Sequence, residues 1–505
     1  MFDITVYLKR IFKLISARDF LFLLAVVLIF FLTRLINLDK FPIFGDEGIY
    51  VRWAKVAWHD ASWRFISLTD GKQPLQTWGT IPFLKLFPEN PLLAGRLFSV
   101  ATGLFGLTGI FVTSFYLFGK RAAFIGSLLY VFTPMFLFYD RMSLVDSGVN
   151  AFAIWIFLLS IVLARTVRLD VALIFGLLSG MALLAKSSAR IFLGLGFLAL
   201  LLFFEQKKNS IQIIRKIINY SFLYILATII ALIIYNIQRL SPFFHYVAEK
   251  NKTFIMTFDE FLSSPFQHFF NNIKIIPLYV FSEMGYVLGF LGIFGLFLLF
   301  KKDRRLAIYL ASWIIIPFFI IAFVSKVIFP RYLIFMAGLL TILSSYFLAA
   351  LDRKKIPITL VLIAISILYF DYTLLFDFKK IPFPEVDRGQ YVEGITAGWG
   401  IDEIVSFTRE KSKEKKVILL AEGDFGVIGD QLDAYLWPND TIFVKGYWPL
   451  KVEDVIENQK ELKDHYVYVV FSHQKELPTD WPIRLIKEYK KPGGQASIFF
   501  AEVIE

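Results

Sequence analysis

Two adjacent carboxylates stand just past the first long apolar run, in Phe44-Gly45-Asp46-Glu47-Gly48-Ile49-Tyr50. Acids at the start of a helix are favoured by its dipole, by about 0.3 to 1 kcal/mol. A carboxylate placed beside a hydroxyl can instead take its proton, which contributes roughly a hundred- to ten-thousandfold to a rate. The residues alone leave both readings open. A second acidic set lies in Phe138-Tyr139-Asp140-Arg141-Met142-Ser143-Leu144-Val145-Asp146-Ser147. Asp146 or Ser147 could cap the apolar run that follows, although ionisable groups at membrane depth are costly and mark functional candidates. Arg141 could pair with Asp140 or with Asp146. The third set is cationic: Lys72, Arg96, Lys186, Arg190, Lys326 and Arg331. Any one of them could be snorkelling. Together they suggest a bound anion, since Arg suits bidentate phosphate contact and Lys supplies a point charge.

The elements that must position these groups cross a membrane. Of the 505 residues, 57% are hydrophobic and only 19% charged, and the mean hydropathy is +0.62. Apolar runs of the roughly 17 to 25 residues that span a bilayer are expected at such values. About eleven are found, at 20–36, 91–118, 122–139, 148–164, 171–185, 189–204, 217–235, 279–300, 306–324, 332–350 and 357–375. The fifth and sixth are short and share the break Lys186-Ser187-Ser188-Ala189-Arg190, so they are one kinked element or two tilted helices. The 57 Phe residues read as lipid-facing and helix-packing bulk. The net charge of +11 could point to nucleic acid, but the basic residues sit in short clusters between apolar runs, so membrane lipids are the expected partner and nucleic acid is not. There are no cysteines, which excludes disulfides and thiolate metal sites. The first run has no small-residue cleavage site and reads as an uncleaved helix.

With the N-terminus inside, the segments 9–18, 120–121, 165–168, 207–216, 301–305 and 353–355 become cytoplasmic, and all are short and basic. Asp46, Glu47, Asp140, Asp146, Asp259, Glu260 and Glu283 then lie outside. The six cations run against the inside bias, and carboxylates beside a phosphate-holding cluster imply a phosphorylated lipid substrate. Within the external loop 37–90, Tyr50, Trp53, Ala54, Val56, Ala57 and Trp58 have the spacing of an interfacial helix with its aromatic face in lipid. The transmembrane module is expected over 1–379. From about 380 to 505 the pattern changes to strands at 416–420, 441–444 and 466–471 with helices at 401–411 and 452–462, a small external α/β domain. Its turn Glu422-Gly423-Asp424-Phe425-Gly426 is too weak a signal for a phosphate loop. A structural or acceptor-docking role fits this domain better than a catalytic one. His245 and His268, in the loop 236–277, read as ordinary polar residues more readily than as metal ligands.

The motifs resemble those of the GT-C superfamily of membrane glycosyltransferases, close to the protein O-mannosyltransferases and the lipid A aminoarabinose transferases. The matching pieces run in family order over residues 20–350: Asp46-Glu47, Lys72-Gln73-Pro74-Leu75 with Trp78, Arg96-Leu97-Phe98-Ser99, residues 141–147, residues 176–180 with Leu183-Leu184-Ala185-Lys186, and residues 326–332. The resemblance implies a polytopic α-helical fold and an inverting transfer of a sugar from a polyprenyl-phosphate donor to a hydroxyl of a lipid, glycan or protein acceptor. It implies that Asp46 is the acceptor's base with Glu47 its motif partner, and that Asp146 is the acid of the second external motif. Lys72 and Arg96 match basic family positions, Lys186 one associated with the lipid phosphate, and Tyr332 an aromatic near it. Arg190 and Arg331 join that donor set from the cation inventory. Two positions depart from the aminoarabinose enzymes, Gly71 where they have an acid implicated in a metal site and Ile49 where they have an arginine. No cofactor is assigned, and a divalent metal is left open. A transporter or flippase of a lipid-linked sugar is the rival reading, but it predicts internal repeats and midplane ionisable groups, which the sequence does not display. An assembly factor leaves the ordered acidic and basic motifs unexplained. Sugar, acceptor and chain length stay open.

Overall fold

The computed structural model describes residues 16–203, 210–352, 354–423, 425–474, 476–494 and 496–505. Parts of the expected basic segments 9–18, 207–216 and 353–355, the end of the span 189–204, and Asp424 of the turn lie outside the described residues. The chain opens with helix α1 (Ala17–Leu35), followed by strand β1 (Ile43–Phe44), α2 (Gly45–His59) and α3 (Leu75–Leu86). Next come α4 (Pro91–Phe118), α5 (Lys120–Phe132), α6 (Pro134–Tyr139), α7 (Asp146–Thr166), α8 (Leu169–Ala185), α9 (Arg190–Phe197) and α10 (Ser210–Asn236). Then α11 (Tyr246–Phe254) precedes α12 (Phe269–Met284), α13 (Tyr286–Lys302), α14 (Arg304–Val324), α15 (Ile334–Ala350) and α16 (Ile356–Phe376).

Among the described residues, six helical stretches are long and apolar enough to cross a membrane, or seven if the pair α12 and α13 counts as one span. Two further apolar helices, Leu169–Ala185 and Ser187–Leu202, are shorter. This is fewer than the eleven spans read from hydropathy, and the differences have local causes. The run 122–139 is not one helix: Thr133 turns extended and Pro134, which has no N–H to donate, starts α6. The run 279–300 breaks at Gly285, whose φ of +82° is accessible to glycine, and the two halves meet at 110°. Lys186, extended at ψ 135°, ends α8 and leaves two separate helices rather than one kinked one. The helices differ in place as well as length. In α7 and in the stretch Pro330–Ala350, 83% of the apolar window is buried by other protein, against 22% in Ser210–Leu240. The first two form the centre of the bundle, and the last faces outward.

The helix expected to lay its aromatic face in lipid instead buries that face in protein. Tyr50, Trp53, Ala54 and Ala57 of α2 are all buried, packed against α3, α4 and the C-terminal region. In that region β2 (Ala397–Gly398), α17 (Ile401–Lys411), β3 (Lys416–Glu422), α18 (Ile428–Asp433), β4 (Ile442–Tyr447), α19 (Val452–Gln459), β5 (His465–Phe471), β6 (Ile483–Lys490) and β7 (Ser497–Val503) follow one another. The sheet order is β4-β3-β5-β7-β6, parallel across β4, β3 and β5 and antiparallel beyond. The three parallel strands are the ones visible in the sequence; β6 and β7 were missed. Strand β6 has mostly exposed side chains, which removes the apolar alternation that marks a strand in a sequence.

This region packs on the acidic motif. Strand β1 pairs antiparallel with β2, Ile43 opposite Gly398, and the Gly45 amide donates to the Thr396 carbonyl at 3.1 Å. A Cβ on Gly45 would come within 2.3 Å of the Gly426 oxygen, and one on Gly48 within 2.8 Å of the Asp430 carbonyl carbon. The two glycines that flank Asp46-Glu47 therefore let α18 and its preceding turn rest directly on α2. Arg52 pairs with Asp430 at 2.8 Å and Lys55 with Asp433 at 3.2 Å along the same seam.

Candidate active site

Neighbouring residues on a helix point about a hundred degrees apart, and Asp46 and Glu47 accordingly face different surroundings. Asp46 faces a cavity of about 570 Å³. Its Oδ1 accepts from Lys72 Nζ at 3.2 Å and its Oδ2 from an Arg331 nitrogen at 3.2 Å. Burial alone pushes its carboxyl up, but Lys72 and Arg331 outweigh that and hold it below the ordinary aspartate range. Lys72 lies over the rings of Tyr50 and Trp53 at 5.3 and 5.6 Å. Burial raises the Tyr50 phenol well above its usual value, so that ring stays neutral.

Across the cavity Lys186 donates to Asp146 at 2.9 Å and stands 4.0 Å from the Tyr332 ring centre. Burial lowers the Lys186 ammonium, an effect that Asp146 opposes. Arg190 also lines the cavity, with its guanidinium on the Tyr235 hydroxyl at 2.6 Å. Away from these polar groups the wall is apolar, built from Ile191 and Phe192 of α9, Ile320, Ile321 and Val324 of α14, and Phe335 of α15.

Glu47 and Arg96 are elsewhere. Both are fully buried, and Arg96 donates from Nε and Nη2 to Glu47 at 2.9 and 2.8 Å. Its Nη1 goes to the Leu38 and Phe41 carbonyls at 2.6 and 3.0 Å. Glu47 also accepts from the Phe44 amide at 3.1 Å and the Ser143 amide at 2.7 Å. The pair ties the first loop, α4 and the turn before α7 together, and neither residue lines the cavity. The cation inventory offers Arg96 for a phosphate and the motif offers Glu47 to the catalytic set beside Asp46; in this structure the two instead form a buried clamp away from the cavity. The pairing of Arg141 with an acid is also corrected: Arg141 donates to the Leu374 and Ile36 carbonyls at 2.9 and 2.7 Å. Asp140 instead pairs with Arg34 of α1 at 3.2 Å, and accepts from the hydroxyls of Tyr130 and Ser147. Lys326 pairs with Glu260 at 2.8 Å.

Two cavity-lining cations were missed, Lys250 and Lys252 of α11. They lie on the expected external side, so the criterion that selected Lys72, Lys186, Arg190 and Arg331 applies to them equally. Lys250 pairs with Asp70 at 2.6 Å. Between Asp70 and Lys72, Gly71 adopts a φ of +65°, and a Cβ there would come within 2.4 Å of the Tyr246 carbonyl oxygen. A side chain at 71 is incompatible with α11 in this place. Among the described residues no group of three or more His, Asp or Glu side chains is arranged to hold a metal ion. His245 contacts the Pro242 carbonyl of its own turn at 2.9 Å.

The family model described as dolichyl-phosphate-mannose-protein mannosyltransferase matches residues 72–236, a stretch that holds Lys72, Asp146 and Lys186. The structure is similar to that of ArnT from Cupriavidus metallidurans bound to undecaprenyl phosphate, with a TM-score of 0.62 and 16% identity over 96% of this chain and 98% of that one. The apo form of that protein gives 0.60 and 16%, over 95% and 97%. This chain resembles the GT-C membrane glycosyltransferases. The archaeal oligosaccharyltransferase AglB from Archaeoglobus fulgidus, in complex with an inhibitory peptide and a dolichol-phosphate, matches with a TM-score of 0.54 and 13% identity over 89% of this chain and 68% of that one. No curated protein sequence matches the chain. At these identities the structural likeness is one of fold. Asp46 and Arg331 fall outside the family-model match, so the GT-C resemblance at those two positions rests on the motifs and the fold.

Proposed function

We propose that this protein transfers a sugar from a polyprenyl-phosphate-linked donor to an acceptor hydroxyl at the outer face of a membrane. The observation that carries the reading is the cavity beside Asp46, lined both by a carboxylate with Lys72, Lys186 and Arg331 and by apolar side chains suited to an isoprenoid tail. In the proposed reaction the acceptor O–H gives its proton to Asp46 as its oxygen bonds to the sugar's anomeric carbon. The bond from that carbon to the phosphate oxygen breaks with inversion, and its electron pair stays on the phosphate. Lys72 and Lys186, with Arg331, Arg190 and Tyr332 around them, stabilise the charge that develops there. Asp146 keeps Lys186 ionised and aimed inward. Residues 1–379 form the membrane module with the loop 37–90 at its outer face, and 380–505 form an external domain, with the N-terminus cytoplasmic.

Purified protein given a radiolabelled polyprenyl-phosphate sugar and candidate acceptors should form labelled product. Movement of the lipid across a vesicle bilayer without product would support a transporter instead, and neither outcome would leave an assembly factor. Lys186→Ala is expected to weaken donor use about 10- to 100-fold, the worth of a hydrogen bond to a charged group. The dependence of initial rate on donor concentration checks this, and an unchanged dependence removes Lys186 from the phosphate wall.

A further inference from the structure

The segment that follows α16 reaches back to the cavity. Arg331 is 7% exposed, and its guanidinium is held along two edges. One nitrogen donates to the Gln390 side-chain oxygen at 3.0 Å and to the Tyr391 hydroxyl at 2.9 Å. The other donates to Asp46 at 3.2 Å. A guanidinium is planar and its donors form a fixed fork, so anchoring one nitrogen aims the other.

The anchor is itself fixed. Tyr391 is buried, its ring edge-on to Phe44 at 4.7 Å and to Phe138 at 4.9 Å. The Gln390 carbonyl accepts from the Thr396 hydroxyl at 2.8 Å, and the Val392 carbonyl from the Trp399 indole at 2.7 Å. Asp387 accepts from the Tyr139 hydroxyl of α6. Thr396 in turn receives the Gly45 amide, one residue before Asp46. We propose that Gln390 and Tyr391 are positioning residues of the active site: they clasp Arg331 so that it faces the Asp46 carboxylate and keeps it ionised. The inference rests on the reading of Asp46 as base, and it gives the C-terminal region a part in the site beyond docking.

The other charged and titratable groups facing Asp46 are Lys72 beside it, Lys250 from α11, Asp146 and Lys186 across the cavity, Tyr332 next to Arg331, and Tyr50 from its own helix. None of them touches Tyr391 by any hydrogen bond, so they stay in place when its hydroxyl is removed. The test uses full-length protein in phosphatidylcholine nanodiscs. Difference infrared spectroscopy follows the Asp46 carboxyl, identified as the band lost in Asp46→Asn. An opposite charge within about 4–6 Å lowers a carboxyl by 1–3 units. Tyr391→Phe should therefore raise the titration midpoint by about one unit, and Gln390→Met should raise it less. A midpoint that stays at the wild-type value in Tyr391→Phe overturns the clasp. If Tyr391→Phe fails to fold, Gln390→Met decides by the same criterion. The titration needs no turnover, so it is separable from the reading of Asp46. Turnover retained by Asp46→Asn would refute the base while the midpoint still judged the clasp.

Discussion

Asp46→Asn is expected to lower the rate of sugar transfer by about a hundred- to ten-thousandfold, the usual worth of a positioned base, while leaving the fold and the binding of undecaprenyl phosphate close to wild type. Asparagine keeps the shape of the side chain but cannot take the acceptor's proton. The neighbours of Asp46 have other supports. Arg331 keeps Gln390 and Tyr391, and Lys72 keeps the Tyr50 and Trp53 rings and Asp70, 3.6 Å away. Asp46 is partly open to the cavity and its two cations keep these other partners, so losing its charge costs less than unpairing a fully buried ion, and a cavity with one carboxylate fewer is at least as welcoming to a phosphate. Single-turnover transfer and binding of undecaprenyl phosphate, measured on the same preparation, check both halves. Near wild-type transfer would show that another group accepts the proton.

Arg96→Ala should fail for a different reason. It leaves Glu47 fully buried and without its cation, a defect worth about 3–5 kcal/mol, and it strips the Leu38 and Phe41 carbonyls of their donor. Arg96→Lys should rescue little, because one ammonium cannot replace a fork that serves both carboxylate oxygens and two carbonyls. Thermal unfolding in detergent, with the yield of monodisperse protein, reads the loss directly. An Arg96→Ala protein that unfolds at the wild-type temperature but binds undecaprenyl phosphate poorly would return Arg96 to the phosphate wall.

These two variants also mark what the sequence makes legible. Residue type and sidedness suffice to gather Asp46, Lys72, Asp146, Lys186, Arg190 and Arg331, the family resemblance adds Tyr332, and all seven line one cavity. Whether a charged side chain faces the cavity or the protein depends on its angle around a helix, and type and order do not carry that angle. Glu47 is one step from Asp46 and yet opposite in surroundings, and Arg96 is chemically as good a phosphate ligand as Arg331. Lys250 and Lys252 needed only the criterion already applied to their neighbours. The bundle is legible where apolar runs are unbroken, as in α4, α7 and α16. It is obscured where Pro134 or Gly285 divides a run whose hydropathy stays high. Strands β3, β4 and β5 show as apolar runs, whereas the edge strand β6 alternates weakly and hides.

The pairing of β1 with β2 has a consequence for how this protein is made. Gln431 donates to the Ile43 carbonyl across 388 residues of chain, and contacts that distant in sequence form late because the loop between them must close first. A nascent chain that ends with α16 already holds Asp46, Lys72, Lys186 and Arg331, yet lacks Gln390, Tyr391 and the strand that fixes Gly45. The hydrogen bonds from Arg331 to Gln390 and Tyr391 can therefore form only after α16 has been made. The order of translation thus adds the clasp on Arg331 after every residue that lines the cavity.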